Sequence, residues 1–173
     1  MQRKKKEIIE FLRNKTVAIV GNAQSIFAKT YGNAIDAHDV VIRFNRGFIK
    51  DEQAQGTRTD VLILACELRA DELAQFNAVY VLNRSNRTKC GDVTFKKVIR
   101  RKLGEKLDAQ PSSGYMAIWL CRYAKAKSID LYGFDFERTL TFYNPVGYVT
   151  KHNYSAEEKI VLNLAEKGIV KVN

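Results

Sequence analysis

The chain has 173 residues, 46% of them hydrophobic and 28% charged, which fits one globular core and excludes disorder. A formal net charge of +10 points to anionic partners (nucleic acid, anionic lipid headgroups or acidic glycans) without choosing among them. Residues 3–13 set Ile8, Ile9, Phe11 and Leu12 among charges, the pattern of an amphipathic helix, and residues 1–15 are expected to form a basic N-terminal element ahead of a single domain at 16–173. TVAIVG at 16–21 reads as a buried strand ending in a glycine turn, and Ser25 to Ala37 as a loop and short helix. Three more buried strands follow at 39–45, 59–65 and 77–83, with a short helix at Asp71 to Phe76 between the last two. Lys96 to Leu107 is a basic helix, PSSG at 111–114 opens another through about Lys125, and SIDLYGF at 128–134 is the next strand. A polar loop with Asn144, Pro145 and Gly147, a helix from Ser155 to Lys167 and a short strand at 169–172 complete the chain. Strands alternating with helices predict an α/β sandwich with a mostly parallel sheet.

Ligands of open α/β sheets gather at the carboxyl ends of the strands, and three motifs fall there. Gly21-Asn22 is either a plain strand-to-helix turn or a place where backbone approaches a ligand and an asparagine amide meets phosphate; Asn45 has the same two readings. Ser112, Ser113 and Gly114 open a helix whose unpaired N–H groups and partial positive charge suit a phosphate, or whose serine is an ordinary N-cap. His152 lies in a polar loop before the last helix, where an accessible imidazole of near-neutral pKa could serve as general base or be a plain loop residue. His38 reads as structural. Ser155 and Glu158 have capping-box spacing, which leaves Glu157 unexplained by the cap.

No DxD, HxH or HExxH pattern and no Walker loop occurs, which favours a metal-free transfer from a donor with one phosphate. Cys66, Cys90 and Cys121 are odd in number and lack CxxC spacing, against a disulfide framework or a zinc site. No apolar run reaches the roughly 18 residues of a membrane helix and no signal-peptide pattern opens the chain. The expected location is a reducing bacterial cytoplasm.

These motifs together resemble a known family. VAIVGNAQSIFAKTYGNAIDAHDVVIRFNRG at 17–47, continued by GTRTD at 56–60, resembles the large sialylmotif of glycosyltransferase family 29, the animal-type sialyltransferases. PSSGYMAIWLCRYAKAKSIDLYGFDF at 111–136 resembles the small sialylmotif, and His152 with Glu157 the very small one. The resemblance implies a Rossmann-like α/β/α sandwich, a variant of the GT-A type, and an inverting, metal-independent transfer of an acidic sugar from a CMP-activated donor to a glycan hydroxyl. By resemblance, Gly21, Asn22, Asn45, Ser112, Ser113, Gly114, Tyr132, Gly133 and Tyr143 would bind CMP, His152 would take the acceptor proton and Glu157 would support the site. No cofactor or metal is implied beyond the donor; the partners are the CMP-sugar and a glycan or glycolipid acceptor, with no nucleic acid.

The sequence also departs from the family. The cysteines that the family joins between its two large motifs fall at Val17 and Ala126, which fits a chain kept from oxidising compartments. The family's third motif, a histidine beside aromatics, is reduced to Thr141-Phe142-Tyr143. Either CMP-sialic acid or CMP-Kdo would serve as donor, since both are 2-keto acid sugars on one phosphate. Glycosyltransferase family 42 shows a similar GN turn, serine-glycine helix start and late histidine, but VIRFN and PSSG favour family 29. Two other readings stay open: a catalytically weak nucleotide- or RNA-binding module on the same fold, and peripheral docking of residues 3–13 on the anionic inner face of a membrane.

Overall fold

The computed structural model describes residues 2–144, 146–147 and 150–173; Pro145 of the predicted polar loop lies outside them. Seven strands form one wholly parallel sheet: β1 Thr16–Val20, β2 Val40–Phe44, β3 Val61–Leu64, β4 Tyr80–Asn83, β5 Val93–Thr94, β6 Ser128–Tyr132 and β7 Lys171–Val172. Their order across the sheet is β5-β4-β3-β2-β1-β6-β7. The α/β sandwich expected from the sequence is the observed architecture.

The central strands are continuous apolar runs because both sheet faces are covered. Val17 and Ile19 of β1, Val40, Ile42 and Phe44 of β2 and Val61 and Ile63 of β3 point into one core cluster. That cluster is closed by side chains of α1 Gln2–Leu12, α5 Lys97–Leu107, α6 Ser113–Tyr123 and α7 Tyr154–Glu166. The alternate residues face the opposite layer, formed by a 3-10 turn at Gln24–Ala28 with α2 Gly32–Asp36, α3 Glu52–Gln55 and α4 Ala70–Ala74. Arg43 faces this second layer at 1% exposure. Its guanidinium donates to the carbonyls of Arg58 and Gln55 and to Thr59 Oγ1, and burial pushes its pKa down to about 10.

Three expectations need correction. The two-residue β5 and the four-residue α3 were not foreseen; both are too short to carry a periodic pattern, and α3 is fixed by Asp51, whose carboxylate accepts from the N–H groups of Gln53 and Ala54. The capping box at Ser155 and Glu158 does not form: α7 starts one residue earlier with Asn153 as N-cap, accepting from Ala156, while Glu158 pairs with Arg138. The apolar face of α1 is occupied, because Ile8 and Leu12 are buried at 2% and 0% in the main core, with Ile9 and Phe11 packed beside them. Of its basic residues, Lys4 pairs with Asp92 at 2.8 Å.

Candidate active site

The chain leaves β1 toward β2 on one side, and the later strand β6 returns to its other side. The carboxyl ends of β1 and β6 are therefore the topological switch point, where an open α/β sheet splays into a crevice. Gly21 and Gly133 meet there. The Gly21 N–H donates to the Tyr132 carbonyl at 2.7 Å, and a Cβ at Gly21 would lie 2.3 Å from the Gly133 carbonyl oxygen. Only a residue without a side chain lets these strand ends approach so closely.

A cleft of about 660 Å³ opens over this point. Gly21, Asn22, Asn45, Ser112, Ser113, Gly114, Gly133, Tyr143, His152 and Glu157 all line it, so ten of the eleven expected site residues converge. The other is Tyr132, 3% exposed, whose ring packs on the α2 side against Tyr31 and His38 and whose carbonyl accepts from Gly21 N–H. His38 donates from Nδ1 to the Ala34 carbonyl at 2.8 Å and sets Nε2 3.2 Å from the Asp130 carboxylate, away from the cleft.

Several of these side chains are committed to scaffolding. Asn22 donates its amide to the Phe44 carbonyl at 3.0 Å, tying the ends of β1 and β2, with Tyr143 OH 3.5 Å from the same nitrogen. Tyr143 is brought there by a clip between loops: Phe142 N–H donates to Asn22 O, and Gln24 N–H to Leu140 O. Asn45 adopts the left-handed conformation, φ 51°, that asparagine tolerates, and its Oδ1 accepts from Ala65 N–H at 2.7 Å. Its amide nitrogen remains as donor. Gly114 is required by packing, since a Cβ there would lie 2.7 Å from the Phe134 ring.

Ser112 is the N-cap of α6, accepting from Tyr115 N–H. Its own N–H and Oγ–H donate to the two oxygens of Glu157 at 2.7 and 2.6 Å. Glu157 is buried at 3% exposure, and burial raises its pKa against the lowering pull of those two bonds. It thereby fixes the helix start, where Ser113 and Gly114, in the first turn, have N–H groups without an intrahelical acceptor.

His152 is half-buried, where the sequence reading expected an accessible loop imidazole. Its Nδ1 lies 2.8 Å from the Gln110 carbonyl, which can only accept, so the proton sits on Nδ1 and Nε2 carries the lone pair. Burial holds the imidazole below its ordinary pKa, with the Gln110 bond pulling upward and the charge of Arg84 pushing down again. Arg84 Nη1 lies 3.3 Å from Nε2. Nothing local in the sequence marks Arg84, because His152 is 68 residues away. Asp135 was also passed over as a site residue, and on the cleft wall its carboxylate accepts from Ser25 Oγ, Thr139 N–H and Thr139 Oγ1. Among the described residues no three His, Cys, Asp or Glu side chains form a metal-binding group.

Residues 2–98 match the family model for glycosyltransferase family 29 (sialyltransferase). The chain belongs to that family. Solved structures of similar fold include a mammalian sialyltransferase in complex with Gal-beta-1-3GalNAc-ortho-nitrophenol: 17% identity over 92% of this chain and 69% of that one, TM-score 0.67. Another is the sialyltransferase CstII from Campylobacter jejuni in complex with CMP-3FNeuAc, 14% identical over 91% and 80% of the two chains, TM-score 0.63. An alpha-2,3-sialyltransferase from Campylobacter jejuni in apo form is 15% identical over 92% and 74%, TM-score 0.57. No curated protein matches this sequence. As a family 29 member the protein is a glycosyltransferase of the sialyltransferase type, which selects family 29 over family 42 among the sequence readings. Its described helices include none long and apolar enough to cross a membrane.

Proposed function

We propose that this family 29 chain transfers sialic acid or Kdo from its CMP derivative to a glycan hydroxyl, inverting the anomeric carbon without a metal. The acceptor oxygen attacks that carbon while its proton passes to His152 Nε2. The bond to the CMP phosphate breaks, and CMP leaves with the electron pair. The observation that carries the reading is the hydrogen bond from His152 Nδ1–H to the Gln110 carbonyl at 2.8 Å, which presents a neutral Nε2 on the cleft. The start of α6 and the β1/β6 switch point suit the CMP phosphate and nucleoside, with Ser113, Gly114 and Asn45 as the donors to test. Metal independence is supported by the chemistry of the three cleft carboxylates, since Glu157 is spent on Ser112 and Asp135 on Ser25 and Thr139, which leaves Glu137 as a lone carboxylate. The substrate analogue CMP-3FNeuAc and the glycan derivative Gal-beta-1-3GalNAc-ortho-nitrophenol, each bound by a protein of the same fold, support the donor and acceptor classes.

The catalytic domain in this reading is 16–173, with the preceding helix α1 packed onto its core. A reducing bacterial cytoplasm is supported by three free cysteines and by Val17, in the main core, and Ala126, packed against it, at the positions of the family's disulfide. Peripheral attachment to the inner membrane face would rest on the basic side chains of α1 alone. Calorimetric titration with CMP, against UMP, GMP and AMP with EDTA present, tests the donor assignment. Selective CMP binding is expected; equal or absent binding of all four nucleotides refutes it, and steep salt-dependent RNA binding that CMP does not displace would favour the RNA-binding alternative.

A further inference from the structure

At the β4 end of the cleft Arg84 lies near Arg100, and among the described residues neither has an acidic partner in an ion pair. Arg84 leaves the carboxyl end of β4 half-buried, its backbone N–H held by the Leu64 carbonyl, and lines the cleft beside His152. Arg100, in the first turn of α5, has a buried Nε with no hydrogen-bond partner. Burial lowers the pKa of Arg84, and the charges of Arg100 and Arg87 add to it. Among the described residues neither Arg84 nor Arg100 forms an ion pair, and the nearby Glu157 is committed to Ser112. A desolvated guanidinium pair is costly unless an anion meets it.

We infer that Arg84, backed by Arg100, holds an anionic group of the acceptor, so that the preferred acceptor is a glycan bearing a carboxylate or a phosphate near the hydroxyl that His152 deprotonates. This rests on the transferase reading above. The donor phosphate suits the α6 start and the β1/β6 crevice, whereas β4 lies three strand spacings from β1, about 14 Å away. His152 stands between the two regions, touching Gln110 just before the α6 start and Arg84 at the end of β4. An anion that draws the Arg84 fork toward itself also removes the donor now facing Nε2, so the acidic acceptor both docks and uncovers the base.

Calorimetry on the CMP-saturated full chain, with lactose, a sialylated lactose and a phosphorylated lactose as probes, tests this. At least one acidic probe should bind about 10- to 100-fold more tightly than lactose, the span of a charge-assisted hydrogen bond, and which one does so names the anion. Arg84→Gln and Arg100→Gln should each erase most of that preference while CMP affinity stays within a few-fold. If Arg84→Gln fails to fold, Arg84→Lys should keep part of the preference, and added salt should weaken only the acidic probes in the unaltered protein. Equal binding of the three probes, or a preference that survives both substitutions, overturns the inference. Loss of CMP binding alone, with the anion preference intact, refutes the donor reading and leaves the arginine site standing.

Discussion

Glu157→Ala and Glu157→Gln should part company. Alanine removes both acceptors from Ser112 N–H and Oγ–H at a position that is 3% exposed. Hydrogen bonds to a charged group are worth about 1.5–3 kcal/mol each, so the two represent roughly 3–6 kcal/mol. Against them stands desolvation, which pushes the Glu157 pKa above its ordinary value and so outweighs the Ser112 bonds in setting its ionisation. The net loss for alanine should be about 2–4 kcal/mol, which for a domain of this size lowers Tm by roughly 5–15 °C. Glutamine removes the buried charge and keeps the contacts. Its carbonyl can accept from Ser112 N–H and its amide donate to Ser112 Oγ, which retains a lone pair for Tyr115 N–H; the expected loss is under about 1 kcal/mol. The pH dependence follows from the same balance. A carboxyl whose folded pKa is raised contributes stability that is complete below its unfolded value of 4.5 and is lost as pH rises through the folded value. Glutamine abolishes that contribution. Thermal unfolding of the three proteins at mildly acid and mildly alkaline pH reads all of this. A glutamine variant as damaged as the alanine one, or an alanine variant within about 1 °C of the parent, would refute the reasoning.

Gly21→Ala forces a Cβ to 2.3 Å from the Gly133 carbonyl and should cost about 3 kcal/mol or more in denaturant unfolding, whereas Gly168→Ala, with nothing within 4 Å and φ +64°, should cost only about 1–2 kcal/mol. Equal losses would contradict close packing at the switch point. His152 has a folded pKa below its ordinary 6.5, so the stability it contributes is present above that value and lost as pH falls through the folded one; the acid limb of kcat/KM should likewise fall below 6.5, and a limb above it argues against a half-buried base. Leu12→Ala, at a fully buried position of α1, should lose about 2–5 kcal/mol in urea unfolding; a change under about 0.5 kcal/mol would mean that α1 is not part of the core.

The central strands were legible because β2 and β3 are buried along their whole length, and an unbroken apolar run is what two covered faces require. A mostly parallel sheet followed from the alternation with helices, and the observed sheet is parallel throughout. Two-residue β5 and the N-cap at Asn153 were not legible, the first because it carries no period and the second because Ser155 offered a competing capping pattern two residues on. In the cleft, motif residues such as Asn22, Ser112 and His152 could be named from their places at strand and helix ends. Their partners could not: Gln110 lies 42 residues from His152, and Glu157 45 residues from Ser112. Arg84 carries no local signal, because only the tertiary fold sets it against an imidazole. Tyr132 was placed in the site by its motif, yet strand alternation turns its ring to the α2 layer.

The most direct test is transfer itself. The purified chain is incubated with CMP-sialic acid or CMP-Kdo and a panel of neutral and acidic glycans in EDTA, and product is followed by mass spectrometry for the parent and for His152→Ala. A glycan gaining one acidic sugar with the parent, and at least about 100-fold slower with the alanine variant that still binds CMP, is the predicted result. Near-normal turnover by His152→Ala, or no transfer from either donor to any glycan, would contradict it.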